Sequence, residues 1–155
     1  ILMEKFAAVD YFVNVQKAGT LHLVDDGDSF QIGDIKISVV GYKGKGSDTC
    51  AYLIEHKGKK VVYSPCDTIS FEQYKKFNDL DLLITECGAF SYVPDEISFK
   101  DMVNRLMEIK PKKTIIIHIE EIELNTWGEK HFNDMKKQYK DVKFDYAYDG
   151  MKIKL

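Results

Sequence analysis

The 155-residue sequence has little of what a stapled, membrane-spanning or nucleic-acid-coating chain needs. It carries three cysteines, Cys50, Cys66 and Cys87, and none sits in a Cys-x-x-Cys pair. So odd and sparse a set excludes a disulfide framework and a structural zinc knuckle, and matches cysteine usage in a reducing cytoplasm. No apolar run approaches the ~20 residues of a membrane span, so no membrane partner is expected. Ile1-Leu2-Met3 gives way at once to Glu4-Lys5, which is not the pattern of a secretory leader. Positive charge is not in surplus either. Twenty-two basic against 25 acidic residues give −3, so nucleic acid is not the expected partner. Any phosphate-bearing ligand must be held by a local site.

What is there is ordinary for a globular domain: 45% hydrophobic and 30% charged residues. With no repeat, no Pro/Ser-rich linker and no low-complexity tract, residues 1–155 read as a single domain. The chain opens on Ile rather than Met, and the expectation is the C-terminal part of a longer chain.

Residues 1–17 are apolar with mixed periodicity and read as a helical lead-in. Leu21–Val24 and Ser29–Ile32 flank Asp25-Asp26-Gly27-Asp28, the chemistry of a turn between two short strands. Ile35 to Val40 alternates cleanly, as a half-buried strand does. After the glycine-rich loop 41–48, strands are expected over Thr49–Glu55 and Lys60–Ser64, joined by a tight Lys57-Gly58-Lys59 turn and closed by Pro65. A short helix Phe71–Phe77 and a strand Asp81–Thr85 follow. Ser98, with Asp101 three residues on, can cap a helix whose Phe99, Met102, Val103, Leu106 and Met107 form an apolar stripe. Thr114–His118 suits a strand buried on both faces. A helix is expected after Thr126, then strands over Val142–Tyr146 and Met151–Leu155. The order implies an α/β fold: a mixed sheet with parallel crossovers, helices on one face, and an apolar second face that needs a partner.

Three strand ends could carry chemistry, because ligands of open α/β sheets gather beyond the carboxyl ends of strands. They are Ser64-Pro65-Cys66-Asp67, Thr85-Glu86-Cys87 and Ile117-His118. A carboxylate and a neutral imidazole are donors that zinc, manganese or iron(II) accept at about 2.0–2.2 Å. A metal there would activate water for attack on an ester or phosphodiester. Plainer roles are open for each residue. Asp67 can cap the following helix or make an Asx turn. His118 can be a core histidine, Glu86 can pair with a lysine, and Cys66 and Cys87 can be small buried hydrophobes. His22, His56 and His131 read as structural or solvated, and Glu120-Glu121-Ile122-Glu123 as a solvated face.

Taken in order, CAYLIE (50–55), VVYSPCDT (61–68), DLLITE (81–86), TIIIHIEE (114–121) and AYDGMKI (147–153) resemble the C-terminal half of the metallo-β-lactamase superfamily. The likeness is nearest to its phosphodiesterase-like and tRNase Z-like branch, and DGDSFQIGDIKISVV extends it back to about residue 20. The resemblance implies an αββα sandwich and a hydrolase of a phosphodiester or similar small ester. It places Asp67 on the metal-bridging aspartate and His118 on the last ligand histidine, as metal and catalytic residues. Glu86 and Cys66 fall in the surrounding shell, the latter able to serve as a soft ligand. Two divalent ions are implied, zinc or else manganese or iron. The family's His-x-His-x-Asp-His motif is absent from these residues and would lie upstream of Ile1. The middle histidine is also missing from GYKGKGSD, where Tyr42, Lys43 or Gly44 stands. A non-catalytic half-domain acting as a binding or assembly module is therefore the alternative, whereas the hydrolase would be completed by a missing N-terminal half or by a second copy as homodimer. An RNA-processing nuclease of the same fold ranks third.

Overall fold

The computed structural model describes residues 19, 22, 24–43, 48–64, 78–93, 97–119 and 121–155, with backbone alone at 42, 43, 48 and 49. Seven strands form one mixed sheet in sequential order: β1 (Ser29–Ile32), β2 (Ile35–Lys43), β3 (Asp48–His56), β4 (Lys59–Ser64), β5 (Leu82–Glu86), β6 (Thr114–Ile117) and β7 (Phe144–Tyr146). The first four pair antiparallel, and β4 to β7 run parallel. The two-residue turn between β3 and β4 holds both Lys57 and Gly58 at positive φ, 48° and 76°. That geometry matches the twist of the strands it joins and explains why a Lys-Gly step serves there.

Among the described residues two helices serve as crossovers, α1 (Phe99–Ile109) before β6 and α2 (Glu121–Gln138) before β7. The Ser98 hydroxyl accepts the Asp101 N–H at 3.1 Å and donates to the Asp101 carboxylate at 2.7 Å, so the expected cap is present. Phe99, Met102, Val103 and Leu106 of α1 pack on Val62, Leu83, Ile116 and Phe144, which share one sheet face. On that same face Phe132 of α2 sets its ring 5.0 Å edge-on to Tyr146. The α/β mixed sheet with both helices on one face is thus the expected one. The opposite face carries Tyr52, Ile54, Val61, Ile84 and Ile117, all half-buried.

At the amino end of β5, the Asp81 carboxylate accepts the Lys60 N–H at 2.9 Å and the Lys112 ammonium at 3.0 Å, with Lys59 at 3.4 Å. The Lys60 N–H and the lysines hold its carboxyl below the usual range, at about 2. This clamp ties the lead-ins of three strands at one edge and leaves their carboxyl ends for the site.

Several expectations need correction. Of the expected strand Leu21–Val24, the described residues His22 and Val24 are not in a strand, and Leu21 and Leu23 lie outside the described residues. Met151–Leu155 alternates like a strand but joins no ladder among the described residues; the Met151 N–H instead bonds Tyr148 O at 3.0 Å. The last helix begins at Glu121 rather than after Thr126, whose hydroxyl donates back to Ile122 O at 2.6 Å within the helix. Gly128, at φ 68° and ψ 165°, breaks α2 into two segments. The expected helices over 1–17 and 71–77 lie outside the described residues.

Candidate metal site at the carboxyl ends of the parallel strands

In the parallel register Ser64 stands beside Thr85, and Glu86 beside Ile117. The ends of β4, β5 and β6 therefore come out on one edge of the sheet. Cys66 and Asp67 come two and three residues after Ser64 in sequence, but both lie outside the described residues. Glu86 and His118 are described, and the fold brings them together.

His118 is forced outward by its neighbours. Ile116 before it is fully buried, and Ile119 after it packs against the same core. With both anchors fixed, the chain turns at His118 through a left-handed backbone, φ 58°. For a residue with a Cβ this conformation costs roughly 1–2 kcal/mol, and such strain collects at functional positions. The side chain is 55% exposed, so His118 is not a core histidine. Its Nδ1 lies 3.6 Å from the Glu86 carboxylate, whose side chain is 18% exposed. That is longer than a hydrogen bond but close enough for charge to orient the ring. With Nδ1 turned to Glu86, Nε2 is the nitrogen left to meet a ligand. A carboxylate behind one ring nitrogen and a metal before the other is a recurrent arrangement at metal-bound histidines.

Cys87 is fully buried, and burial, helped by the charges of Glu123 and Glu86, pushes its thiol well above the usual range. It is a small core hydrophobe and not a thiolate ligand. Glu123 was not legible as part of this region. It is half-buried rather than solvated, and its carboxylate accepts the Phe90 N–H at 3.4 Å, tying α2 to the loop after β5. Only the three-dimensional register brings it beside Cys87. His131 also differs from a solvated helix residue: it stacks on Trp127 at 4.7 Å, and its Nε2 is buried with no hydrogen-bond partner among the described residues. His56 is a surface residue paired with Asp34 at 2.8 Å.

Among the described residues no group of three or more His, Cys, Asp or Glu could hold a metal ion. His118, backed by Glu86, is a donor of the kind a metal accepts, and by itself it would fill one coordination position.

Residues 5–119 match the family model described as the Beta-lactamase superfamily domain. The chain belongs to this superfamily. The match begins at residue 5, earlier than the resemblance read from about residue 20, and ends just past His118. Among curated protein sequences none matches the chain. Solved structures match its fold. A diphosphatase described as of the PhnP family superposes with a TM-score of 0.71 at 15% identity, over 95% of this chain and 54% of its own. The isothiocyanate hydrolase from Delia radicum gut bacteria gives 0.67 at 11%, over 94% and 63%. Zn(2+)-bound PqqB from Methylobacterium extorquens gives 0.63 at 12%, over 86% and 52%. Such low identities speak to the fold alone. This superfamily chain thus spans roughly half to two-thirds of the length of these three structures. No helix among the described residues is long and apolar enough to cross a membrane.

Proposed function

We propose that this chain is part of a metal-dependent hydrolase that cleaves a phosphodiester or a similar small ester. The observation that carries the reading is His118: a strained, solvent-facing imidazole at the end of a buried parallel strand, with Glu86 behind its Nδ1. Superfamily membership supports it, as does the company of hydrolases and a zinc-bound protein among its structural neighbours.

In this reading His118 would hold an ion through Nε2, and Asp67, three residues beyond β4 in sequence, would be a further metal ligand. Glu86 keeps the His118 ring in one tautomer and orientation. Cys66 stands beside Asp67 as a shell residue. The ions, zinc or else manganese or iron, supply a Lewis acid and a water acidic enough to act as nucleophile near neutral pH. The substrate is a small molecule.

The test is hydrolysis of bis(p-nitrophenyl) phosphate by the full-length protein after chelation and reloading with zinc or manganese. Metal-dependent release of nitrophenolate supports the reading, and no release with any of these metals refutes it. One observation favours a second reading, a non-catalytic binding or assembly module: the described residues alone hold no cluster of three metal donors. A module of that kind would bind no metal.

A further inference from the structure

The turn that carries His118 is held from both sides. Upstream, β6 is fixed by its ladders to β5 and β7, and Ile116 is fully buried. Downstream, Ile119 packs against the core, and the chain enters α2 at Glu121. Glu123, in the first turn of that helix, accepts the Phe90 N–H at 3.4 Å.

Phe90 is a firm anchor. Its ring stacks on Phe99 at 4.6 Å and meets the His131 and Phe132 rings edge-on at 4.8 and 5.2 Å. The residues before it are equally confined. Ala89 donates its N–H to Ile97 O at 2.9 Å and accepts the Phe99 N–H at 2.8 Å. Gly88 has φ 74°, and a Cβ there would lie 3.2 Å from Ile97 O. The loop from Glu86 to Phe90 is therefore a fixed platform, and it begins at one member of the His118–Glu86 pair. Glu123 joins that platform to the helix five residues past the other member. The contacts close a circuit. His118 meets Glu86 through space, Phe90 meets Glu123 by hydrogen bond, and the chain itself supplies the two remaining sides. The buried Cys87 thiol feels the charge of both Glu86 and Glu123.

We infer that Glu123 is a positioning residue: by gripping the Phe90 N–H it holds the His118 turn so that Nδ1 faces Glu86 and Nε2 stays available to a metal. A left-handed residue with a Cβ persists only where its surroundings over-determine it, and Glu123 supplies that constraint on the downstream side. The metal half of the inference rests on the proposed function; the orientation of the ring does not. A first-turn carboxylate also complements the helix dipole, so a change in stability alone does not identify the role.

The experiment reads the His118 ring in the metal-free full-length protein by long-range proton–nitrogen NMR, which reports the nitrogen that carries the proton. His118→Asn identifies the signal. The unaltered chain is expected to carry the proton on Nδ1, facing Glu86. Glu123→Gln keeps an oxygen for the Phe90 N–H and is expected to preserve that state. Glu123→Asp keeps the charge but stops one methylene short, and is expected to give a mixture of both tautomers. In zinc competition against a chelator, Glu123→Asp is expected to weaken binding about tenfold and Glu123→Gln about twofold or less. An unchanged His118 signal in Glu123→Asp, even with a lowered melting temperature, overturns the inference and leaves Glu123 purely structural. A proton on Nε2 in the unaltered chain overturns it as well. So does a loss in Glu123→Gln equal to that in Glu123→Asp, because the hydrogen bond would then not be what acts. If the unaltered chain binds no zinc while the tautomers divide as expected, the positioning role stands and the hydrolase reading falls.

Discussion

His118 combines three properties seldom joined in a residue kept for packing: left-handed backbone, a side chain 55% exposed, and a carboxylate 3.6 Å from Nδ1. Asparagine tolerates the left-handed region but cannot replace Nε2. His118→Asn is therefore expected to change stability by no more than about 0.5 kcal/mol in urea unfolding, while metal content measured by mass spectrometry falls. Glu86→Gln keeps the shape and removes the charge behind the ring. It is expected to weaken metal binding about 10–100-fold in a chelator competition assay with little change in melting temperature. The identity of both residues was legible in the sequence, since each ends a buried strand run. Their proximity was not, because it depends on the Glu86–Ile117 register, and nothing in either run specifies which strands become neighbours. The same limit hid Glu123, whose partner Phe90 is 33 residues away.

Among the elements, the strands of the sheet's centre were readable because apolar residues and turn chemistry agree there. Ile35–Lys43 and Asp48–His56 run longer than their alternation suggested, since each extends the other's ladder into the glycine-rich loop. Met151–Leu155 shows the reverse: alternation is present, but a strand needs a partner, and none of the described strands supplies one. Helix α2 was expected only after Thr126, whereas it begins at Glu121 and is interrupted at Gly128. At φ 68° and ψ 165° this residue lies where essentially only glycine goes, and Gly128→Ala is expected to cost about 1–3 kcal/mol by chemical denaturation. The Asp81 clamp gives an element-scale pH dependence. Its carboxyl sits at about 2 when folded against an ordinary value of about 3.9, so the stability it lends is complete above about pH 4 and lost as pH falls toward 2. Urea midpoints measured between pH 4 and 2 are expected to fall less steeply for Asp81→Asn than for the unaltered chain.

At the scale of the molecule, the sheet divides its work between two edges. Asp81 and its lysines bind the amino ends of the parallel strands, while the carboxyl ends carry His118 and Glu86. One sheet face is sealed by α1 and α2, and the other is apolar, with Leu82 and Ile115 buried and Tyr52, Ile54, Val61, Ile84 and Ile117 half-buried. Superfamily membership follows from the match over residues 5–119, whereas the proposed chemistry would need further donors beside His118. The account's central claim is that His118 is a metal ligand. The most direct test is the metal content per chain of the full-length protein and of its His118→Asn variant, by inductively coupled plasma mass spectrometry. The account predicts about two divalent ions in the former and the loss of at least one in the latter. No bound metal in the unaltered protein, or the same content in both, would contradict it.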